Sequence, residues 1–462
     1  MDHEQVWQRW WQRHPESWQP WRSFLKTLFG LPMDEDDLAL YRQCTGRSVP
    51  PVGVSSEVWL CIGRRGGKSM VLALIAVYLA AFRDWAPYLA PGEPGVIKIM
   101  AVDRRQARTC HRYCRALMME VPSLAALVIR EDSNIIELST GIVIEVATAS
   151  FRGIRGATVI AALCDELAFW RTDDAANPDS EILQALRPSM ASVPGSMLLC
   201  ASSPYARRGE LWNAHKRFFG KDDAPALVWQ AATRVMNPSI PQRVIDEAYE
   251  RDPQSAAAEY GAEFRSDIDT FVSREVVEAA VAPGVFELPY LSEHSYVAFC
   301  DPSGGSSDSM TLAIAHNEND RAIIDAVRER RPPFSPEDVV QEFSDLLKSY
   351  QVFSVVGDRY GGEWPRERFK EHNITYDPAA KPKSDLYREL LPLLNSRRVE
   401  LPDIPRLVAQ LCSLERRTAR GGRDSIDHSP GQHDDLANVA AGVLVDAIKG
   451  DSAGEIWRRL AD

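Results

Sequence analysis

The chain has 462 residues, 45% of them hydrophobic and 26% charged. That is the balance of an ordinary globular protein with room for two or three domains, so disorder of the whole chain is excluded. Lys and Arg number 53 against 65 Asp and Glu, a net charge of -12; a protein that coats nucleic acid with its whole surface is usually basic, so any DNA contact has to be confined to a groove or channel. The apolar stretch 70–82 is too short for a bilayer, which needs ~20 residues, and the N-terminus MDHEQVWQRWWQRH has no signal-peptide core. The expectation is a cytoplasmic protein without membrane contact. The eight cysteines are scattered and form no CxxC pair, which argues against a disulfide framework and a cysteine zinc site.

In chain order, residues 1–54 are a Trp-rich segment with five of the twelve tryptophans, Trp7, Trp10, Trp11, Trp18 and Trp21. Their near-helical spacing predicts an amphipathic segment packed on its own domain; a docking surface for a partner, or an adenine-side lid, are the other readings. From 55 to 237, apolar strands at 58–63, 95–102, 157–166 and 196–204 alternate with helices at 68–82 and 104–120, and 135–147 reads as a hairpin around Thr140 and Gly141. Strands buried on both faces and separated by helices predict a mostly parallel sheet. Prolines and an Ala-rich helix at 255–264 make 238–290 a bridge. A second series begins at 291: strands at 295–301, 310–316 and 322–327, a helix at 336–350, then strands at 353–358, 373–377 and 399–402 among helices at 365–372, 384–396, 404–418 and 433–448. That order suits an RNase H-like sheet over 291–450, with 451–462 a C-terminal tail.

Two sets of residues carry chemistry. Ile62-Gly63-Arg64-Arg65-Gly66-Gly67-Lys68-Ser69 lies between a strand and a helix, the setting of a phosphate-binding loop, though Ile62 stands where the pattern has Gly. Gly63, Arg65, Gly66 and Gly67 would close backbone N–H groups around phosphates. Lys68 would reach the β/γ-phosphates of ATP, and Ser69 would hold Mg²⁺. The apolar strand before Asp165-Glu166 adds a metal-holding acid and one to polarise the attacking water. Ser202-Ser203-Pro204 ends the next strand, as a γ-phosphate sensor or a plain turn. Arg152 and Arg155 stand ahead of the Asp165 strand, where an arginine reaches a neighbouring subunit's nucleotide or merely forms a surface ion pair.

The second set is acidic. Asp301 and Asp358 end strands and are followed by Gly304-Gly305 and Gly361-Gly362, while Asp434 and Asp435 open a helix of small residues. Acids gathered from strand ends bind two Mg²⁺ or Mn²⁺ for phosphodiester cleavage. For one of them, helix N-capping by Asp434 is the simpler reading; as a metal ligand Asp434 is slightly preferred to Asp435. Arg416, Arg417, Arg420 and Arg423 lie just upstream, as a local DNA grip or a solvated basic loop.

Taken in order, GRRGGKS, an RG before CDE, ASSP, AFCDPSGG, VVGDRYGG and GQHDDLANVAAG resemble the large terminase subunit of tailed bacteriophages over about 55–450. The resemblance implies an α/β chain, a P-loop ATPase domain followed by an RNase H-like nuclease domain. It implies ATP with Mg²⁺ (Mn²⁺ at the nuclease site), and Arg64 as the family's P-loop arginine. Arg155 becomes the inter-subunit finger, Ser202, Ser203 and Pro204 the coupling motif, and Asp301, Asp358 and one of Asp434 or Asp435 the nuclease acids. Its implied partners are double-stranded DNA, a portal protein, a small terminase subunit and further copies in a ring, in the host cytoplasm. The chain departs from the family where Asn438 replaces a further acid. A cellular helicase-like or repair ATPase fused to a nuclease, and a scaffold protein with degenerate sites, are the competing readings.

Overall fold

The computed structural model describes residues 15–149, 156–170, 178–303, 308–358, 363–418, 424–429 and 432–461. The chain divides into two compact units at Ser266/Asp267, inside the expected bridge.

The first unit holds an eight-stranded sheet of β1 (Glu57–Ile62), β2 (Gly95–Ala101), β3 (Val128–Glu131), β4 (Ile135–Leu138), β5 (Ile142–Thr148), β6 (Thr158–Asp165), β7 (Met197–Ser202) and β8 (Leu227–Ala231). The order is β3-β4-β5-β2-β6-β7-β1-β8, with β5, β2, β6, β7, β1 and β8 parallel and the expected hairpin at one edge. Five of the six residues of β1 and all of β2 and β7 are buried, the mark of strands covered on both faces. The helix Lys68–Phe82 is apolar nearly all round. It packs on β2, β5 and β6 and under the helix Arg104–Met119, as an all-apolar helix must.

The N-terminal segment belongs to this unit. Trp21, Phe24 and Leu28 of the helix Pro15–Phe29 join the core around β1 and β8. The next helix, Glu35–Thr45, starts with a capping box between Asp34 and Asp37. Asp37 is fully buried and paired with Lys26, and it accepts 2.6 Å from Ser23 Oγ. Of the five early tryptophans, Trp18 packs on this core and Trp21 lies inside it; Trp7, Trp10 and Trp11 lie outside the described residues.

The second unit is built on β10 (Tyr296–Asp301), β11 (Met310–Glu318), β12 (Arg321–Arg330), β13 (Ser354–Gly357), β14 (Thr375–Pro378) and β15 (Val399–Glu400), preceded in the chain by the short β9 (Ile268–Thr270). The order is β14-β13-β10-β11-β12-β15. β10, β11 and β12 run antiparallel, and β13 and β14 add in parallel beside β10. This is the RNase H-like arrangement. One element corrects the expectation: 404–418 is not one helix. The helix Pro405–Ser413 stops, and β16 (Leu414–Thr418) pairs with β17 (Asp424–His428) and β9. The helix Asp435–Ala461 runs through the residues expected to form a tail. It packs on β10, β11 and β12, so closely at Gly442 that an added Cβ would stand 2.3 Å from the Phe299 ring.

Candidate nucleotide and metal sites

In the first unit the loop after β1 is clamped from outside. Trp21 Nε1 donates 2.8 Å to Gly66 O, Thr233 Oγ1 2.8 Å to Arg64 O, and Asn237 Nδ2 2.9 Å to Arg65 O. Among the described residues no backbone acceptor meets the N–H groups of Arg65, Gly67, Lys68 and Ser69. A run of free N–H groups at a helix start is an anion cradle. Gly67 sits at φ 103 and Arg65 at φ 65, conformations that make the turn tight enough to gather them. A Cβ at Gly63 would meet Thr233 Oγ1 at 2.4 Å, so this glycine is required by close packing.

Lys68, 4% exposed, donates 3.1 Å to Ile62 O and 3.0 Å to Ser203 Oγ, and its Nζ lies 3.2 Å from Glu166 Oε1. Glu166 follows β6 in the left-handed region, φ 52, a strained placement for a side chain of this size that turns its carboxylate back over the loop. Its Oε2 accepts from Ser202 Oγ and Ser203 N, each at 3.2 Å.

Ser69 Oγ donates 2.6 Å to Asp165 Oδ2, and Gln106 Nε2 reaches both, at 2.7 Å to Asp165 and 3.0 Å to Ser69. Gln106 was not foreseen: it stands in the first turn of the helix Arg104–Met119, where Asp103 caps the helix by accepting from Gln106 N. Burial and then the Glu166 charge push the Asp165 carboxyl above the ordinary range, against the bonds from Ser69 and Gln106. Its Oδ1 is buried with no hydrogen-bond partner. The Ser69 hydroxyl and the buried Asp165 carboxylate, with its Oδ1 unpaired, fit a Mg²⁺ ion.

Arg64 turns outward, 61% exposed, onto Glu259 at 3.0 Å. Arg152 and Arg155 lie outside the described residues.

In the second unit, register brings the acids together. Cys300 of β10 pairs with Gly357 of β13, so Asp301 and Asp358 follow side by side. Asn438, one turn into the last helix, donates 2.7 Å to Asp301 Oδ2 and 3.5 Å to Asp358 Oδ2. Asn438 thus bridges these two acids, and its own Oδ1 is buried without a partner. Burial, with Asp358, Asp435 and Asp434 adding to it, pushes Asp301 up to about 8.

Asp434 and Asp435 differ sharply. Asp434 accepts 2.8 Å from Tyr387 OH and 3.0 Å from Lys383 Nζ. Burial works against the Lys383 charge, yet Asp434 and Asp427 hold its amine above the usual lysine range. Among the described residues Asp435 receives only Ser309 N, at 3.3 Å, on its carboxylate, while its backbone O accepts from Thr311 Oγ1 at 2.9 Å. Burial raises the Asp435 carboxyl. A buried cluster of oxygen donors in which burial raises the Asp301 and Asp435 carboxyls fits Mg²⁺ or Mn²⁺. Lys383 and Tyr387 carried no signal in the sequence, being some fifty residues from Asp434.

Arg417 is engaged by Glu415 and by His428 O, and Arg416 lies 3.7 Å from Asp424; Arg420, Arg423, Gly304, Gly305, Gly361 and Gly362 lie outside the described residues. All eight cysteines are free. Among the described residues no helix is long and apolar enough to cross a membrane.

Three solved structures stand beside this fold. The HK97 bacteriophage large terminase is 16% identical, with 93% of this chain and 100% of that one covered and a TM-score of 0.39. The large terminase of a thermophilic bacteriophage, in complex with ADP, is 11% identical over 84% of this chain and 93% of that one, TM-score 0.38. The large terminase nuclease of the thermophilic phage G20c with bound magnesium is 18% identical over 38% of this chain and 97% of that one, TM-score 0.32. All three are large terminases or a part of one. No protein-family model and no curated protein matches the chain.

Proposed function

We infer that this chain is a viral DNA-packaging motor that hydrolyses ATP to move double-stranded DNA into a procapsid and cuts concatemeric DNA with its own endonuclease. The observation that carries the reading is the presence on one chain of both sites: the clamped loop with Ser69 hydrogen-bonded to Asp165, and the Asp301, Asp358 and Asp435 cluster. The order of GRRGGKS, CDE, ASSP and the three acids, which resembles that of large terminases, joins the two activities into packaging.

The N–H groups of Arg65, Gly67, Lys68 and Ser69 cradle the phosphates, and Lys68 bonds the β/γ oxygens. Ser69 and Asp165 hold Mg²⁺, which when bound neutralises phosphate charge. Glu166 polarises the attacking water. Lys68 touches both Glu166 and Ser203, so a γ-phosphate that draws on Lys68 alters the bonds of Glu166 and of the turn after β7 together. That is a direct route from nucleotide to backbone movement. Arg64 is the loop's own arginine and Arg155 acts across a subunit boundary.

In the second unit Asp301, Asp358 and Asp435 hold the divalent ions, which when bound activate water and stabilise the leaving oxygen. Asp434 positions Lys383 rather than metal. The partners are double-stranded DNA, a portal protein, a small terminase subunit and other copies of this chain in a ring, and the site of action is the host cytoplasm.

The test is the purified full chain in two assays, DNA-stimulated phosphate release with Mg²⁺ and plasmid cleavage with Mn²⁺. Lys68→Ala should abolish the first and spare the second, and Asp301→Ala the reverse. Phosphate release by Lys68→Ala at the wild-type rate, or cleavage by Asp301→Ala, would overturn the reading.

A further inference from the structure

We propose that the second unit carries a separate zinc-type metal site, built from His294, His316 and Glu318, at the end of its sheet away from the acids. One ligand atom from each lies within 4.8 Å of the others. His316 of β11 stands opposite Tyr296 of β10, and Thr311 opposite Asp301. Five residues of strand separate the two places, roughly 17 Å, so the cluster is no part of the acidic site.

The decisive group is His316. It is 4% exposed. Its Nδ1 lies 2.8 and 2.9 Å from the two oxygens of Asp325, a carboxylate on β12 that is itself buried. A carboxylate at Nδ1 keeps the proton there and leaves the Nε2 lone pair available, the arrangement found behind metal-bound histidines. Nε2 is buried and has no hydrogen-bond partner. The Asp325 bond alone accounts for the ring's orientation. It does not account for the bare Nε2, nor for two further donors gathered beside it. His294, half-buried, stacks on the His316 ring with centroids 4.1 Å apart. Glu318 is exposed at the end of β11, where the chain turns through Asn319 and Asp320, both at positive φ.

Two imidazoles and one carboxylate suit Zn²⁺, whereas Mg²⁺ asks for an octahedron of oxygens. Tetrahedral bonds of ~2.1 Å put donors about 3.4 Å apart, so small side-chain rotations close the site and leave a fourth position for water. A bound ion would tie the segment entering β10 to the β11–β12 hairpin and stabilise the folded unit in proportion to its affinity.

The test uses the full chain, stripped with chelator, dialysed, and titrated with Zn²⁺ by calorimetry in excess Mg²⁺ to occupy oxygen-only sites, with Co²⁺ absorption reporting coordination geometry. One Zn²⁺ per chain, a tetrahedral Co²⁺ spectrum and a zinc-dependent rise in melting temperature are expected. His294→Ala, at a half-buried position, and Glu318→Ala, at an exposed one, should each weaken zinc binding at least tenfold and remove that rise. Asp325→Asn should weaken binding by about 10–100-fold, and Asp301→Ala should leave it unchanged. No zinc bound, equal affinity in wild type and His294→Ala, or loss of the ion in Asp301→Ala would overturn the proposal.

Discussion

Between Asp434 and Asp435 the difference is what each carboxylate already holds. Asp434 is occupied by Tyr387 and Lys383, and a carboxylate with a bonded ammonium has little left for a divalent ion. Among the described residues the Asp435 carboxylate is met by one backbone N–H. Asp435→Asn should therefore abolish Mn²⁺-dependent plasmid cutting. Asp434→Asn should retain measurable cutting and show its damage as lost stability, through a half-buried Lys383 left with Asp427 as its one acidic partner among the described residues. Equal loss in both at unchanged melting temperature would reverse the assignment. The choice could not be read from the chain alone, because GQHDDLANV presents two identical acids and the groups that tell them apart sit on another helix. Gln106 was hidden for a similar reason: in DRRQ it is one polar residue in a basic helix start, and only the Asp103 cap and the neighbouring β6 give it a target.

At the scale of elements, apolar strands and the helix after the loop were readable, since an uninterrupted run such as VWLCI or KSMVLALIAVYLAAF has few ways to be buried. The helix read over 404–418 failed because Leu407, Leu411 and Leu414 keep helical spacing. No glycine or proline marks the break, and pairing of Leu414–Thr418 with two other strands overrides the local pattern. The N-terminal helices were expected to pack on their own domain, and Trp21 adds a hydrogen bond to the phosphate loop. Trp21→Phe keeps most of the packing and loses about 1 kcal/mol of hydrogen bonding, so the KM for ATP should rise a few-fold with the fold intact by circular dichroism. Asp37 makes a separate prediction. Burial alone would raise its carboxyl, but the bonds from Lys26 and Ser23 hold it below the usual range. A depressed carboxyl stabilises the fold above its unfolded value near 3.8 and loses that contribution as pH falls through the folded value. Asp37→Ala should cost about 2 kcal/mol or more at neutral pH, and the gap in melting temperature to wild type should narrow as pH falls through the folded value of the Asp37 carboxyl.

For the whole molecule, the two units have their own cores, and a single unfolding transition is not expected of such a chain. Calorimetry should resolve two transitions, one raised by Mg²⁺ with a slowly hydrolysed ATP analogue and the other by Mn²⁺ alone. In Asp301→Asn the metal-free second transition should rise, because a carboxyl whose ionisation is opposed by burial first and by the neighbouring acids second is replaced by a neutral amide, and the Mn²⁺ shift should vanish. A single transition shifted by both ligands would refute the independence of the units. The overall charge of -12 also sets a scale: DNA has to be gripped at restricted places. Arg416 and Arg417, the described members of the basic stretch, already have acidic neighbours.

Gly442 has a consequence for genetics. It stands seven residues beyond Asp435, roughly 10 Å along the helix. Yet the helix that carries Asp435 and Asn438 is set at its height above β10 by the missing side chain, since a Cβ would lie 2.3 Å from Phe299. Gly442→Ala should push that helix outward by a small amount that heat enlarges. It is thus the substitution from which a conditional allele is expected, one that cuts DNA at low temperature, fails at high temperature and hydrolyses ATP at both.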